Sequence, residues 1–206
     1  MEMDIPGEWH VMADYEKALK HKYAQRMRKV RAELAKLNIK ELDEEGVKSN
    51  KVVLFGLYQQ VVARQQVRLG LLNEDFLPVL KRFHGDDLRV WLAYENEKPV
   101  GFFSAWVKEG VFDMFYIGFD YARNQELQLY FNMLFFGVEQ AITNGKEKLI
   151  LGRTALDAKA RIGCKPRYLS TYLYIKNSFL RQRVLNLQQK TALQEGAWED
   201  RHPFKS

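Results

Sequence analysis

Cysteine is nearly missing: among 206 residues there is one, Cys164. That excludes a disulfide framework and a four-cysteine zinc site. The four histidines, His10, His21, His84 and His202, lie far apart in sequence, so no compact metal motif is present and no metal is expected. Long hydrophobic runs are missing too. The most apolar stretch, around Phe131, is broken by Asn132, Gly137 and Glu139, short of the roughly 18 apolar residues of a membrane span. Glu2 and Asp4 precede any apolar run, unlike a signal peptide, so a cytoplasmic address is the expectation. Glycine-rich signatures are absent. Without G-x-G-x-x-G, G-x-x-x-x-G-K-[ST] or G-x-S-x-G, a dinucleotide site, a P-loop and a serine-hydrolase elbow are all disfavoured.

What is present is a globular composition, 47% apolar and 28% charged, which supports a sizeable core and excludes general disorder. The length suits one domain, or one domain with a helical attachment. The net charge of +6 is unevenly spread. Residues 9–38 carry +5 and residues 153–190 carry +8, while residues 39–152 carry −3. Two concentrated basic segments suit either an anionic partner or a pair of solvated lysine-rich faces.

Hydrophobic periodicity orders the chain. Trp9, Met12, Tyr15, Leu19, Tyr23, Met27, Val30, Leu34 and Leu37 recur every three or four residues, which predicts one helix over 9–37. At 1.5 Å per residue it would span roughly 45 Å, long enough to run along another domain or subunit. The acidic stretch 41–46 reads as a connection or short turn. Helices are predicted over 50–69 and from Asn73 to Gly85. The period then falls to two: 88–94, 100–107 and 111–119 read as strands joined by short turns, an antiparallel meander. Asn124 caps a predicted helix ending near Thr143, before Asn144-Gly145. A strand at 148–151 then makes a crossover to a parallel neighbour. One or two helical turns at 155–162, a last strand at 167–175 and a helix at 178–190 complete the order. The class is α+β, a mixed sheet flanked by helices.

Three antiparallel strands, a helix and a crossover strand match the centre of the GNAT-type N-acyltransferase fold. Residues 115–124, FYIGFDYARN, lead to an aromatic helix from Leu129-Tyr130-Phe131 to Gly145. Next comes Leu151-Gly152-Arg153-Thr154-Ala155, with Lys159 and Gly163 following. Together they resemble the Fem-type and BioF2-like (CelD/BioF) acyltransferase-like proteins, over most of residues 9–176. The resemblance implies an N-acyltransferase that moves an acyl or aminoacyl group to a primary amine, with acyl-CoA or aminoacyl-tRNA as donor. Full Fem-type proteins carry two tandem GNAT-like domains, and this length suits one. The alternative is therefore a non-catalytic binding or dimerisation module, one half of a two-domain protein. The expected organisation is a long N-terminal helix and acidic connection over 1–46, a GNAT-like domain over 47–190 and a tail over 191–206. Acetyl-CoA-dependent GNAT enzymes carry [QR]-x-x-G-x-[GA] after the fourth strand. Here Arg123-Asn124-Gln125-Glu126-Leu127-Gln128 lacks both glycines, and Glu126 stands where an anion would approach.

By the resemblance, Lys159 falls near the acyl-transfer centre, where an ammonium can stabilise the oxyanion formed on amine attack. Otherwise it is a solvated lysine on a short helix. Arg153, after Gly152 at a strand end, can grip a phosphate or carboxylate, or simply pair with Asp157. Thr154 can cap the short helix. Asp120 can act as base and Tyr121 as acid, against the plainer role of Asp in a turn. Asn124, Lys165 and Arg167 are further candidates for donor or substrate contacts. Cys164 is a core filler, or a nucleophile if its basic neighbours lower its pKa. Trp106 and Tyr116 read as core aromatics, and Gly118 as a bulge or close approach. The implied partners are a small-molecule amine, an anionic acyl donor and a second subunit or domain along the N-terminal helix. RNA binding through the basic segments is a thinner possibility.

Overall fold

A six-stranded mixed sheet forms the centre. The structure is a computed structural model, and it describes residues 1–65, 70–170, 172–190 and 199–205. The strands are β1 (Glu2–Asp4), β2 (Asn38–Leu42), β3 (Leu88–Glu95), β4 (Lys98–Lys108), β5 (Val111–Phe119) and β6 (Lys148–Ile150). They lie in the order β1-β6-β5-β4-β3-β2. Among the described residues only β5 and β6 pair in parallel. The meander forms because tight turns separate its apolar strands. Asn96 and Glu97 adopt positive φ (46° and 67°), as does Gly110 (67°), which suits the twist of hairpin connections.

Helices cover both faces. On one, α3 (Glu44–Ser49), α4 (Lys51–Val62) and α5 (Phe76–His84) enclose a core of Leu54, Leu57, Tyr58, Leu88, Val90 and Phe102. On the other, α1 (Met12–Ala18), α2 (His21–Ala32) and α7 (Leu129–Thr143) enclose Tyr15, Met27, Phe103, Phe112, Leu134 and Val138. Gly118 is the point of closest approach between α4 and the sheet. A Cβ there would lie 2.4–2.6 Å from the Phe102 ring and the backbone of Leu57 and Tyr58. Three shorter or peripheral helices complete the chain: α6 (Tyr121–Leu127), α8 (Leu156–Ala160) and α9 (Ser178–Lys190). Among the described residues, no helix is long and apolar enough to cross a membrane.

Several sequence expectations are corrected. The single helix over 9–37 is instead α1, α2 and a 3₁₀ turn over Glu33–Lys36. The break falls at Leu19, which is extended and bridged to Phe204. Lys20 N–H donates to the Pro203 carbonyl and Lys205 N–H to the Ala18 carbonyl, both at 2.8 Å. The tail thus supplies to this backbone the bonds a continuous helix would have made. The apolar stripe of α1 and α2 is buried within the chain: Tyr15, Leu19, Tyr23, Met27 and Val30 all lie in the core. The acidic stretch is not a mere connection, because β2 pairs with β3 and Asp43 Oδ1 accepts from Gly46 N–H at the start of α3. The helix expected over 50–69 ends as α4 at Val62, and positions 66–69 lie outside the described residues. The helix expected from Asn124 begins earlier, at Tyr121, and is interrupted at Gln128 in the left-handed region (φ 49°). Asn124 does act as a cap, from inside α6: its Oδ1 accepts from Tyr130 N–H at 3.0 Å. No strand forms at 167–175 among the described residues, where most side chains are exposed.

Candidate functional site

The sheet opens between its two parallel strands. β5 and β6 pair over three registers only, from Val111↔Lys148 to Asp113↔Ile150. Beyond these, β5 continues to Phe119 with no strand partner on that side among the described residues. The chain leaving β6 stays with β1 instead, through Leu151 N–H to the Met1 carbonyl (2.9 Å). A bulge near Ser104 turns β5 further. The buried Ser104 hydroxyl accepts from Tyr116 N–H at 3.1 Å and donates to the Tyr116 carbonyl at 3.3 Å. The result is a fork, with the second half of β5 on one side and Gly152–Lys159 on the other.

Lys159 lies on the second side. Its side chain is 4% exposed; among the described residues its ammonium makes no hydrogen bond or ion pair, and Nζ is not among the fully enclosed polar atoms left without one, so its tip keeps contact with solvent. A Cβ on Gly152 (φ 66°) would sit 4.0 Å from its Nζ. Burial pulls its pKa down to about 8, only partly opposed by Cys164. The other buried lysine, Lys81, makes a useful contrast. It donates to the carbonyls of Gly85 and Leu88, both at 3.0 Å, with Asp86 Oδ1 3.8 Å away, so its ammonium is paired. The Met1 α-ammonium donates to the Gly152 carbonyl at 2.9 Å, and burial and then Lys159 lower its pKa.

Arg153 is exposed and does not pair with Asp157. Asp157 is taken by Arg161 at 2.8 Å and by Arg201 at 2.6 Å. Arg153 instead acts electrostatically on Tyr116, whose hydroxyl pKa is raised by burial and by Tyr58 and lowered by this guanidinium. Thr154 does not cap α8. Its N-cap is Ala155, in the left-handed region (φ 53°) and without a side-chain bond. Cys164 is buried, and burial pushes its thiol up to about 12, outweighing the amino groups of Met1 and Lys159. It is a core filler, and the activated thiolate is not realised.

The structure keeps Gly152, Arg153, Thr154 and Lys159 on one short segment and gives the remaining candidates partners of their own. Asp120 caps α6, its Oδ1 accepting from Ala122 N–H at 2.9 Å, with Lys98 Nζ 3.8 Å from Oδ2. Tyr121 stacks under the Arg64 guanidinium, 3.8 Å from its centroid, and its N–H donates to Gln60 Oε1 at 3.2 Å. Lys165 pairs through its backbone with Glu2, and Arg167 Nη1 lies 3.6 Å from Glu2 Oε2. Tyr116, read as a core aromatic, packs on Tyr58 and Phe76 at the margin of one core and is partly buried beside the fork. Asp113, at its base, has a carboxyl held above its usual range by burial and then by Glu2. Its signal in the sequence was a lone acid inside an apolar strand.

By the resemblance a coenzyme A pyrophosphate would meet Arg123–Gln128, but that stretch is no loop and does not fit one: up to Leu127 it lies in α6. The first N–H groups of α6 are already bonded to Gln60 and Asp120, the Asp120 carboxylate occupies the helix end, and Arg123 is held by Glu95 and Glu126. Among the described residues no group of three His, Cys, Asp or Glu side chains could hold a metal ion.

Neither a family model nor a curated protein matches the chain. Among solved structures it is similar to a transcriptional regulator from Bacillus halodurans C-125. That likeness has 14% identity and a TM-score of 0.50, over 68% of this chain and 99% of that one. It is also similar to glucosamine-6-phosphate N-acetyltransferase from Arabidopsis thaliana, with 16% identity and a TM-score of 0.48 over 68% and 99%. A predicted acetyltransferase with acetyl-CoA from Clostridium acetobutylicum gives 12% and 0.49, over 70% and 97%. These are likenesses of fold. What they show is the fold: a mixed sheet, with one parallel pair among the described residues, flanked by helices.

Proposed function

We propose that this is a cytoplasmic N-acyltransferase of the GNAT-like, Fem/BioF2-like kind, moving an acyl or aminoacyl group from an anionic donor to a small primary amine at the fork beside β5. The observation that carries the reading is Lys159, whose side chain is 4% exposed and whose ammonium has no counter-ion among the described residues, at the edge of that fork. A buried charge without a partner is costly, and such groups concentrate where a ligand or a developing charge meets them. In this reading the amine nitrogen attacks the acyl carbonyl carbon and the carbonyl π electrons move onto oxygen. The Lys159 ammonium stabilises that oxyanion. Collapse restores the carbonyl and breaks the bond to the leaving group, which takes up, through solvent, the proton lost by the amine. Arg153 holds the anionic part of the donor.

The test is a thermal-shift panel of acyl-CoAs, coenzyme A, primary amines and aminoacyl-tRNA, followed by transfer assays with the donor that binds. Lys159→Met is expected to lower kcat by about 10²–10³, the usual cost of losing one oxyanion donor. Wild-type activity is expected to fall as pH rises through about 8, where the ammonium is lost. Unchanged transfer by Lys159→Met overturns the assignment. A second reading, a non-catalytic GNAT-like module, is favoured by the self-capped start of α6. Failure of every donor in the panel to bind would select it.

A further inference from the structure

Residues 166–170 and 172–187 are unlike the rest of the chain. The alternation of Tyr168, Tyr172 and Tyr174 with Leu169 and Leu173 is that of a strand covered on both faces. Yet Tyr172 is 93% exposed, Tyr174 88% and Leu169 86%. In α9, which follows, every described side chain is exposed, and Leu180, Val184 and Leu187 fall at i, i+4 and i+7 on one stripe. Folded proteins seldom leave this much contiguous apolar surface in water unless it is an interaction surface. The segment is also purely basic. No acid occurs between Asp157 and Glu195, while Arg167, Lys176, Arg181 and Arg183 fall within the exposed part.

A surface of opposite character lies on the same molecule. The outer side of α4 and α5 exposes Val52, Val79 and Phe83, the last at 71%. The surrounding residues 41–51 and 71–87 hold eight acids against four bases. One of those bases, Lys81, is buried and used internally. Apolar-and-basic on one segment matches apolar-and-acidic on the other, and both are uncovered at once in a single chain.

We infer that these two surfaces meet between two copies of this chain: the 166–187 arm of each packs on the α4–α5 face of the other. The exchange is reciprocal and closes with two-fold symmetry, so it ends at a dimer rather than a filament. α9 alone spans roughly 20 Å. Two arm-on-face contacts of this size suit the roughly 1,600 Å² total of a standard interface.

Sedimentation velocity on the full chain over a wide concentration range tests this. The wild type is expected to be a dimer. Leu180→Asp with Val184→Asp on the arm, and separately Phe83→Asp on the face, are each expected to weaken it at least tenfold. All three sites are exposed, so the circular dichroism spectrum is expected to be unchanged, which separates lost association from lost folding. Mixing the two variants is expected to restore a heterodimer through the one intact contact. A strict monomer at all concentrations overturns the inference, as does a dimer indifferent to both variants. A monomer that binds single-stranded RNA through the arm, and loses it on Tyr172→Ala with Arg181→Ala, overturns it in favour of a nucleic-acid partner.

Discussion

Two basic, apolar-striped segments meet opposite fates in this molecule. In α1 and α2 the stripe is buried, with Tyr15 and Leu19 at 2% exposure or less. In the 166–187 arm the stripe faces solvent. Composition does not separate them, since both carry a surplus of lysine and arginine beside regularly spaced apolar residues. What separates them is a cover. Residues 201–205 close over the first segment: Tyr23 Oη donates to the Arg201 carbonyl at 2.6 Å, and Phe204 packs against Trp9 and Tyr15. At Gly163 (φ 110°) a Cβ would strike the Phe204 ring at 2.3 Å, so that cover needs a glycine beneath it. Periodicity therefore says that a surface is to be buried, while the fold decides whether the chain itself supplies the cover.

The largest effect expected from this contrast is in the covered segment. Leu19→Ala removes a fully enclosed side chain at the junction of α1, α2 and the tail, and is expected to cost about 2–5 kcal/mol. For a chain of this size that lowers Tm by at least roughly 4 °C. Denaturant unfolding followed by circular dichroism measures it. A change below about 0.5 kcal/mol would mean that the tail does not hold this segment closed.

The next effect runs the other way and comes from the inner part of the second basic segment. Lys159 has a folded-state pKa near 8, below the unfolded value of 10.5. Below pH 8 both states carry the proton, and the folded state bears the full cost of the buried charge. Between about 8 and 10.5 the unfolded chain binds more protons, so stability rises with pH. Lys159→Met is expected to raise stability by roughly 1–3 kcal/mol at pH 7, with the gain vanishing toward pH 10.5. Unfolding curves at pH 7 and pH 10 check this. A variant less stable than the wild type at pH 7 would show that the ammonium has a partner and is not held in reserve for a ligand. Gained stability with lost transfer is the pattern expected of a residue kept for chemistry.

The fold was legible wherever local pattern and tertiary outcome agree. The period of two over 88–119 gave the meander, and the alternating turns gave its direction. The break at Leu19 was illegible because its cause, the bonds to Pro203 and Lys205, lies more than 180 residues away. β1 was illegible because three residues carry no period, and it exists only through pairing with β6. At the candidate site, the Gly152…Lys159…Gly163 spacing drew attention to Lys159, but residue type alone makes a lysine solvent-facing. Its burial depends on packing that no local window contains. Asp120 went the other way, because its carboxylate meets the backbone of its own helix before any substrate. The alternation at 167–175 predicts a strand that the described residues do not form. A strand also needs an edge to pair with, and β1 meets this part of the chain only at Lys165.

The smallest expected effect is the sharpest check on the contrast. Leu180 and Leu19 are the same residue type in the two basic segments, but Leu180 is 54% exposed and Leu19 is 2%. At protein concentrations below dimer formation, Leu180→Ala is expected to change unfolding stability by less than about 0.5 kcal/mol, as for surface positions generally. The same substitution at concentrations where copies associate is expected to lower the apparent stability, since anything bound only to the folded state adds to it by mass action. Concentration dependence is thus the deciding readout. A large loss at every concentration would mean that α9 packs on its own chain, and the two segments would differ in nothing but timing of closure. A loss that appears only with association assigns the missing cover to a second copy.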